Sequence, residues 1–333
     1  MKFKSIKHCF FAFISLSVFS QPAWACLSCG CGGSSAAADL SAMGGAASLL
    51  SAGRHWLIQS GLSSRFMSGS LNEKGIWNPV PSDGFLQSYQ AVLGINYFAL
   101  PGFSLGVQLP AQGNLLSAAS WGSFGSIQPT DLPTQAGLGF GDIQIQSSLK
   151  ILELQEWALA LWGNAQLPTG RIDANTPANT TGSGMPGLSG GLLAIWKPSP
   201  AMAFEIGPES EMPPSWNGEV LLNIGYSHAL GTPPIQNSPF FLGQSLAASI
   251  QASLFLAPGW SAGLGINGTW GLWAAAGNRQ AQSSYRLRLS PSLQYEINPD
   301  QGIRMAIGGD LPFGGANSLT DLTLNFVYYQ FFN

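Results

Sequence analysis

Residues 285–297 read YRLRLSPSLQYEI, and their alternation decides the fold. Tyr285, Leu287, Leu289, Pro291, Leu293, Tyr295 and Ile297 fall on one face, while Arg286, Arg288, Ser290, Ser292, Gln294 and Glu296 fall on the other. Side chains of an extended strand point alternately to its two faces, so this period of two describes a strand with one apolar and one polar side. The apolar side ends in an aromatic residue or a neighbour of one at each tip. The next stretch repeats the pattern, with Ile303, Met305, Ile307 and Leu311 opposed to Arg304 and Asp310. Strands that cross an outer membrane take this form, one face to lipid and one to an interior that water can reach.

The same reading predicts strands at 85–99, 242–256 and 260–272, and further ones near 54–67, 103–115, 141–152, 156–167, 187–197, 218–229 and 319–331. Connections fall into two sizes. Leu100-Pro101-Gly102, Glu153-Leu154-Gln155, Ala257-Pro258-Gly259 and residues 298–302 are tight turns. Residues 68–84, 116–140, 168–186, 230–241, 273–283 and 312–318 are longer and rich in Gly, Pro, Ser, Asn and Thr. Short turns on one side and long loops on the other are the habit of such barrels. The alternation gives an all-β, antiparallel transmembrane barrel of about twelve strands with both termini in the periplasm. Residues 201–206 resemble a short strand and are assigned to an irregular connection, 198–217; counting them separately leads to fourteen strands. The last strand places Leu322, Leu324, Phe326, Tyr328 and Phe332 on one face. A closing aromatic residue of this kind is the signal expected for the barrel-insertion machinery, although Asn333 follows it here.

Composition agrees. Only 9% of residues are charged and 42 are glycine, against roughly 25% charged in ordinary soluble domains. A chain this poor in charge lacks a solvating surface, which a lipid-facing belt does not need. Lys2, Lys4 and Lys7, the apolar stretch from Phe10 to Phe19 and Ala23-Trp24-Ala25 read as a secretory signal over 1–25. Cleavage would leave Cys26 first. A lipoprotein cut at Cys26 is the alternative, but Ala23 and Trp24 suit it poorly. Residues 26–53 form a Cys/Gly/Ala-rich segment, periplasmic or plugging, and 54–333 the barrel. Past the signal no apolar run is long enough for a membrane helix. The absence of a basic patch argues against nucleic acid as a partner.

Two motifs go further. Gly139-Phe140-Gly141-Asp142 opens one strand, and the strand after it ends Leu167-Pro168-Thr169-Gly170-Arg171. In this order and on paired strands, they resemble the outer-membrane transporters grouped under the "meta-pathway of phenol degradation". The sharp match covers 139–171. The resemblance implies a barrel that passes hydrophobic or aromatic compounds.

Candidate chemistry is sparse. Cys26, Cys29 and Cys31 lie within six residues. An odd number of thiols in an oxidising compartment leaves a disulfide with a spare thiol, a lipid anchor, or a site for a soft metal ion. Arg286, Arg288 and Arg304 with Glu296 and Asp310 are the candidate lumen charges. His55 and His228 stand on separate predicted strands, and no hydrolytic pairing is legible, so no enzyme is expected. The expected function is a channel for small neutral or hydrophobic solutes. The alternative is an envelope metal- or thiol-binding protein that the barrel anchors.

Overall fold

Lipid offers no partner to a backbone N–H or C=O, so strands can cross it only as a closed ladder. The computed structural model describes residues 55–71, 74–79, 85–118, 132–154, 156–173, 181–197, 218–230, 242–273, 283–298, 300–316 and 318–333. The expected signal, the segment 26–53 and residues 201–206 lie outside these. The described residues contain β1 (Trp56–Leu71), β2 (Trp77–Pro79), β3 (Phe85–Leu100), β4 (Phe103–Ala118), β5 (Leu132–Phe140), β6 (Ile143–Glu153), β7 (Trp157–Leu167), β8 (Gly187–Trp196), β9 (Gly218–Ala229), β10 (Leu242–Ala257), β11 (Trp260–Trp273), β12 (Ser283–Asn298), β13 (Gln301–Ala316) and β14 (Ser318–Phe332). Twelve form an antiparallel barrel: β1, β3, β4 and β6 to β14 neighbour one another in chain order, and β14 pairs with β1 to close it.

The two others are additions at one end. β2 pairs with β1 at Gly69 to Leu71, beyond the reach of β3. β5 and β6 are successive partners of β4, β5 along 111–118 and β6 along 103–108. They form one line broken at Gly141-Asp142. Pro110 stands opposite the break with no N–H to give to a ladder, and its carbonyl accepts from Gly141 N–H at 2.8 Å. Two expected loops are therefore corrected. Within 116–140, residues 132–140 are strand despite their glycines. Of 312–318, all but residue 317 is assigned to β13 and β14. The glycines that suggested a loop there instead make room: a methyl on Gly314 would sit 2.8 Å from Leu287 Cβ, and one on Gly315 2.7 Å from Leu71 Cδ1.

The tight turns Pro101-Gly102 and Pro258-Gly259 and both described termini share one end, here called the tight-turn end. Gly102 and Gly259 have φ of 84° and 77°, a backbone conformation that glycine adopts without strain.

The outside is greasy. Leu93, Ile95, Leu105, Val107, Ile266 and Met305 are exposed there, the reverse of a soluble protein. At the tight-turn end, ring pairs Trp56–Tyr97 and Trp260–Tyr295 (centroids 4.6 Å apart) and Trp157–Trp196 (5.9 Å) form an aromatic girdle. Tyr285, also exposed, sits on the apolar face ten positions before Tyr295. At a rise of about 3.3 Å per residue and the usual tilt of about 40°, that separation gives the roughly 25 Å height of a lipid-facing band.

Ile266 lies midway through this band. Ile266→Arg is expected to lower the unfolding free energy in phospholipid bilayers by about 2–4 kcal/mol, with Ile266→Leu close to neutral, as measured by denaturant titration.

The barrel lumen as candidate functional site

Inward side chains sort into levels along the barrel axis. At the tight-turn end two stretches of the lining are apolar. Leu57, Phe98 and Tyr329 are buried together with Phe331 against them. The Phe98 and Phe331 rings are 6.3 Å apart, and those of Tyr329 and Phe331 6.2 Å apart. Across the lumen, Ala160, Leu193 and Ile195 form a second buried patch with Trp162 and Leu221 packed on it. The two patches, with the hydrogen-bonded Ser104 and Ser148 between them, are called the collar here. Two of its aromatic rings lie along the wall, because a nearby strand supplies glycine beneath each of them. A methyl on Gly302 would come 2.5 Å from Tyr329 Cζ, and one on Gly225 2.9 Å from Trp162 Cη2. Trp162 Nε1 donates to Asn223 Oδ1 at 2.8 Å, so its polar atom is satisfied while the ring stays apolar to the lumen.

Amides occupy the middle. Gln108 Nε2 donates to Gln146 Oε1 (2.9 Å), Gln146 Nε2 to Asn96 Oδ1 (2.5 Å), and Asn96 Nδ2 to Gln59 Oε1 (3.4 Å). Glycine sockets recur here, since a methyl on Gly106 would sit 2.8 Å from Asn96 Cγ. Val92 and Val327 meet over Gly61, which is registered against both. On the far side of β6, Asn164 Nδ2 donates to Gln144 Oε1 at 3.2 Å.

Charges gather toward the end opposite the tight turns. Arg65 Nε meets Asp321 at 2.9 Å, Arg286 Nη1 meets Asp310 at 3.3 Å, and Arg288 Nε meets Asp310 at 3.1 Å. Arg288 Nη2 also contacts Asp321, and it donates to Thr323 Oγ1 at 2.8 Å. The Asp321 N–H donates to Asp310 Oδ2 at 3.0 Å. The cluster spans β12, β13, β14 and β1, so it straddles the closing seam. Asp310 and Asp321 are almost fully enclosed, and removing one member would leave an uncompensated buried charge.

The structure therefore brings together three of the five candidate lumen charges, Arg286, Arg288 and Asp310. Arg304 stands apart and donates to Gln251 Oε1 at 2.9 Å. Glu296 is exposed near the tight-turn end, where Gln294 reaches it at 3.5 Å. A single ladder of all five is corrected to a mouth cluster plus two separate groups, because β12 is long enough to carry residues 286 and 296 to opposite ends. Sequence reasoning missed Arg65 and Asp321. The signal was available for Asp321: it shares the inward parity of Thr323 and Asn325, opposite Leu322 and Leu324. Cys26, Cys29 and Cys31 lie outside the described residues.

The motif residues form a separate knot in the wall. Asp142 accepts from Gly170 N–H (2.8 Å), Ser183 N–H (2.6 Å), Ser183 Oγ (2.6 Å) and Gln166 Nε2 (2.8 Å). Thr169 Oγ1 accepts from Ile143 N–H at 2.9 Å and donates to the Gly141 carbonyl at 3.2 Å. Gly170 packs on Gly182, whose nitrogen would lie 2.7 Å from a methyl on Gly170. Thr181, 3.0 Å from the position of a methyl on Gly139, donates to the Phe140 carbonyl at 2.7 Å. Pro168 is exposed at the end of β7.

The family model described as "Putative MetA-pathway of phenol degradation" matches residues 80–211, a span that includes this knot, and the resemblance carried by 139–171 is borne out. The crystal structure of an outer membrane channel from Pseudomonas putida F1 aligns with a TM-score of 0.60 at 18% identity, covering 84% of this chain and 96% of that one. The TodX monoaromatic hydrocarbon channel aligns at 0.41 and 10% identity, covering 87% and 94%. The translocator domain of the autotransporter NalP from Neisseria meningitidis aligns at 0.41 and 8%, covering 89% and 96%. Comparison with curated proteins gives no match. The fold is that of an outer-membrane β-barrel.

Two substitutions separate the knot from the seam. Asp142→Asn turns an acceptor toward the Ser183 donors into a further donor. It is expected to cost about 1–3 kcal/mol and to speed hydrogen exchange at Gly170 and Ser183 while leaving β1 protected. Asp321→Ala is expected to cost about 3–5 kcal/mol and to speed exchange along β1 and β14 instead.

Proposed function

We propose that the barrel is a channel carrying small, neutral, partly hydrophobic solutes across the outer membrane. One observation carries this reading: much of the inward wall is apolar or uncharged amide, its clustered charges are paired with each other at one mouth, and Arg304, set apart from them, is engaged by Gln251. An ion passing the amides would meet mostly dipoles, with Arg304 already engaged by Gln251, whereas an apolar solute loses nothing at the collar. The family match over 80–211 supports aromatic compounds within that range. In this proposal the tight turns and both termini are periplasmic and the longer connections external. Membrane lipid and the insertion machinery are the other partners. The reading needs no catalytic group.

Initial uptake of labelled ethylbenzene by intact Gram-negative cells tests it. Cells expressing the protein are expected to take it up several-fold faster than cells with an empty vector, and purified barrels in planar bilayers should conduct potassium chloride weakly. Equal uptake with and without the protein would sink the proposal. Phe98 helps to fill the collar, so Phe98→Ala is expected to raise ethylbenzene uptake further, about two- to fivefold by analogy with opening an apolar cavity for small ligands.

A further inference from the structure

Arg304 carries a charge that no described carboxylate matches. It stands at an inward position of β13, opposite Gln294 on β12 and Val327 on β14. Among the described residues its guanidinium makes one hydrogen bond, from Nη2 to Gln251 Oε1 at 2.9 Å, and no carboxylate oxygen lies within 4.0 Å of it. Gln251 is neutral, so it orients the guanidinium without cancelling its charge. The group presents five N–H donors in a planar fork. With one Nη2 hydrogen given to Gln251, one full edge of the fork remains for a two-point partner. Solvent reaches this wall. Gln251, Ser253, Ser290, Ser292, Gln294 and Arg304 face inward and are half-buried, so their exposure is to the lumen. On β1, β3, β4 and β6, by contrast, Gln59, Asn96, Gln108 and Gln146 are buried. Gln251 and Arg304 meet across β11 and β12, whose inward positions between them are Gly263, Gly265, Ser290 and Ser292. These residues are too short to cover the guanidinium.

We infer that Arg304 is an anion-recognising position on the solute path, where its guanidinium takes the carboxylate or sulfonate of a small, partly apolar monoanion. The inference rests on the reading of the barrel as a channel, and it widens the solutes from neutral molecules to monoanions of similar size. A half-buried cation without a counter-charge is costly. An arriving carboxylate or sulfonate supplies that charge and accepts two parallel, charge-assisted hydrogen bonds from the remaining edge of the fork. A cation of the same size is repelled at this point. A second negative charge on the solute gains nothing, because Gln251, Ser253, Ser292 and Gln294 around the guanidinium are neutral. The chemistry selected is therefore an apolar body with one anionic group.

Benzenesulfonate and benzyltrimethylammonium carry fixed, opposite charges on a similar apolar body and serve as probes. Saturable influx of each is measured in proteoliposomes holding the wild-type barrel, Arg304→Gln or Arg304→Lys, with heat-modifiable gel migration confirming a folded barrel. The wild type is expected to admit benzenesulfonate several-fold faster than benzyltrimethylammonium. Arg304→Gln is expected to raise the half-saturation concentration of benzenesulfonate about tenfold, the scale of one hydrogen bond to a charged group, and to abolish the preference. Arg304→Lys keeps the charge without the fork, so the preference is expected to persist with a half-saturation value between the other two. Ethylbenzene uptake by intact cells is expected to be the same in all three. Benzenesulfonate influx no faster than into empty liposomes, or unchanged in Arg304→Gln, overturns the inference. So does a parallel loss of benzenesulfonate and ethylbenzene, which would mark Arg304 as structural. If ethylbenzene enters wild-type cells no faster than vector controls while benzenesulfonate influx depends on Arg304, the hydrophobic-solute reading falls and this inference stands.

Discussion

Every feature of the molecule depends on closing the sheet. In hydrocarbon an open edge would expose a row of unpaired N–H and C=O groups, each costing several kcal/mol. The first and last strands therefore have to find each other. β1 and β14 do so from Trp56 opposite Phe332 to Leu71 opposite Ser318, with one shift between Met67 and Gly69. Apart from that shift the backbone pairing runs continuously along the seam, but the side chains that lock it differ at its two ends. Near the tight turns, Leu57, Phe98, Tyr329 and Phe331 pack together. Toward the other end, Arg65 on β1 reaches Asp321 on β14, with Arg286, Arg288 and Asp310 behind them. Ionic contacts sit toward the end carrying the longer connections, and apolar ones line the collar. Between them the middle of the lumen carries amides and the Arg304 guanidinium, which Gln251 holds.

A twelve-stranded barrel encloses limited space, and long inward side chains on every strand would fill it. Glycine resolves the conflict. Tyr329 lies over Gly302, Trp162 over Gly225 and Asn96 over Gly106; each pairs a large or polar inward side chain with a glycine on another strand. The side chain is accommodated along the wall instead of across the lumen. This gives some of the 42 glycines a structural role in a sequence otherwise built of strand-forming residues, and it helps to fix the orientation of the amides. Gln59, Asn96 and their partners are held by sockets and by one another, so their dipoles are preorganised before any solute arrives.

Much of this was legible beforehand, because alternation reports which face a residue occupies irrespective of its partner. Tyr285 to Ile297 gave the correct inward and outward sets, and turn sizes gave the twelve strands. What alternation cannot report is height along the axis and which strand lies beside which residue. Glu296 and Arg304 share parity with Arg286 and Arg288, yet stand far down the wall from them. Arg65 and Asp321 are 256 positions apart and meet only through the closing seam. The glycine-rich run before Phe140 suggested a loop because glycine has low strand propensity; pairing with β4 overrides that preference. The amide chain was visible only as scattered Gln and Asn residues until the register placed Asn96 beside Gln59.

The knot at Asp142 follows from the same closure constraint. β4 is paired by β6 along 103–108 and by β5 from 111, with a break opposite Pro110, while β7 pairs with β6 and stops at Leu167. Beyond that point the outer edge of the wall needs acceptors and donors that no ladder supplies. A single carboxylate provides them: Asp142 takes four hydrogen bonds from Gln166, Gly170 and Ser183, and Thr169 and Thr181 engage the carbonyls of Gly141 and Phe140. Gly170 and Gly182 let the two backbones approach closely enough for one carboxylate to serve both. An aspartate at the strand break, and a Pro-Thr-Gly where its neighbour ends, are thus two halves of one hydrogen-bonded joint. Either half alone would leave buried backbone unpaired, and that is why the two motifs occur together in the chain.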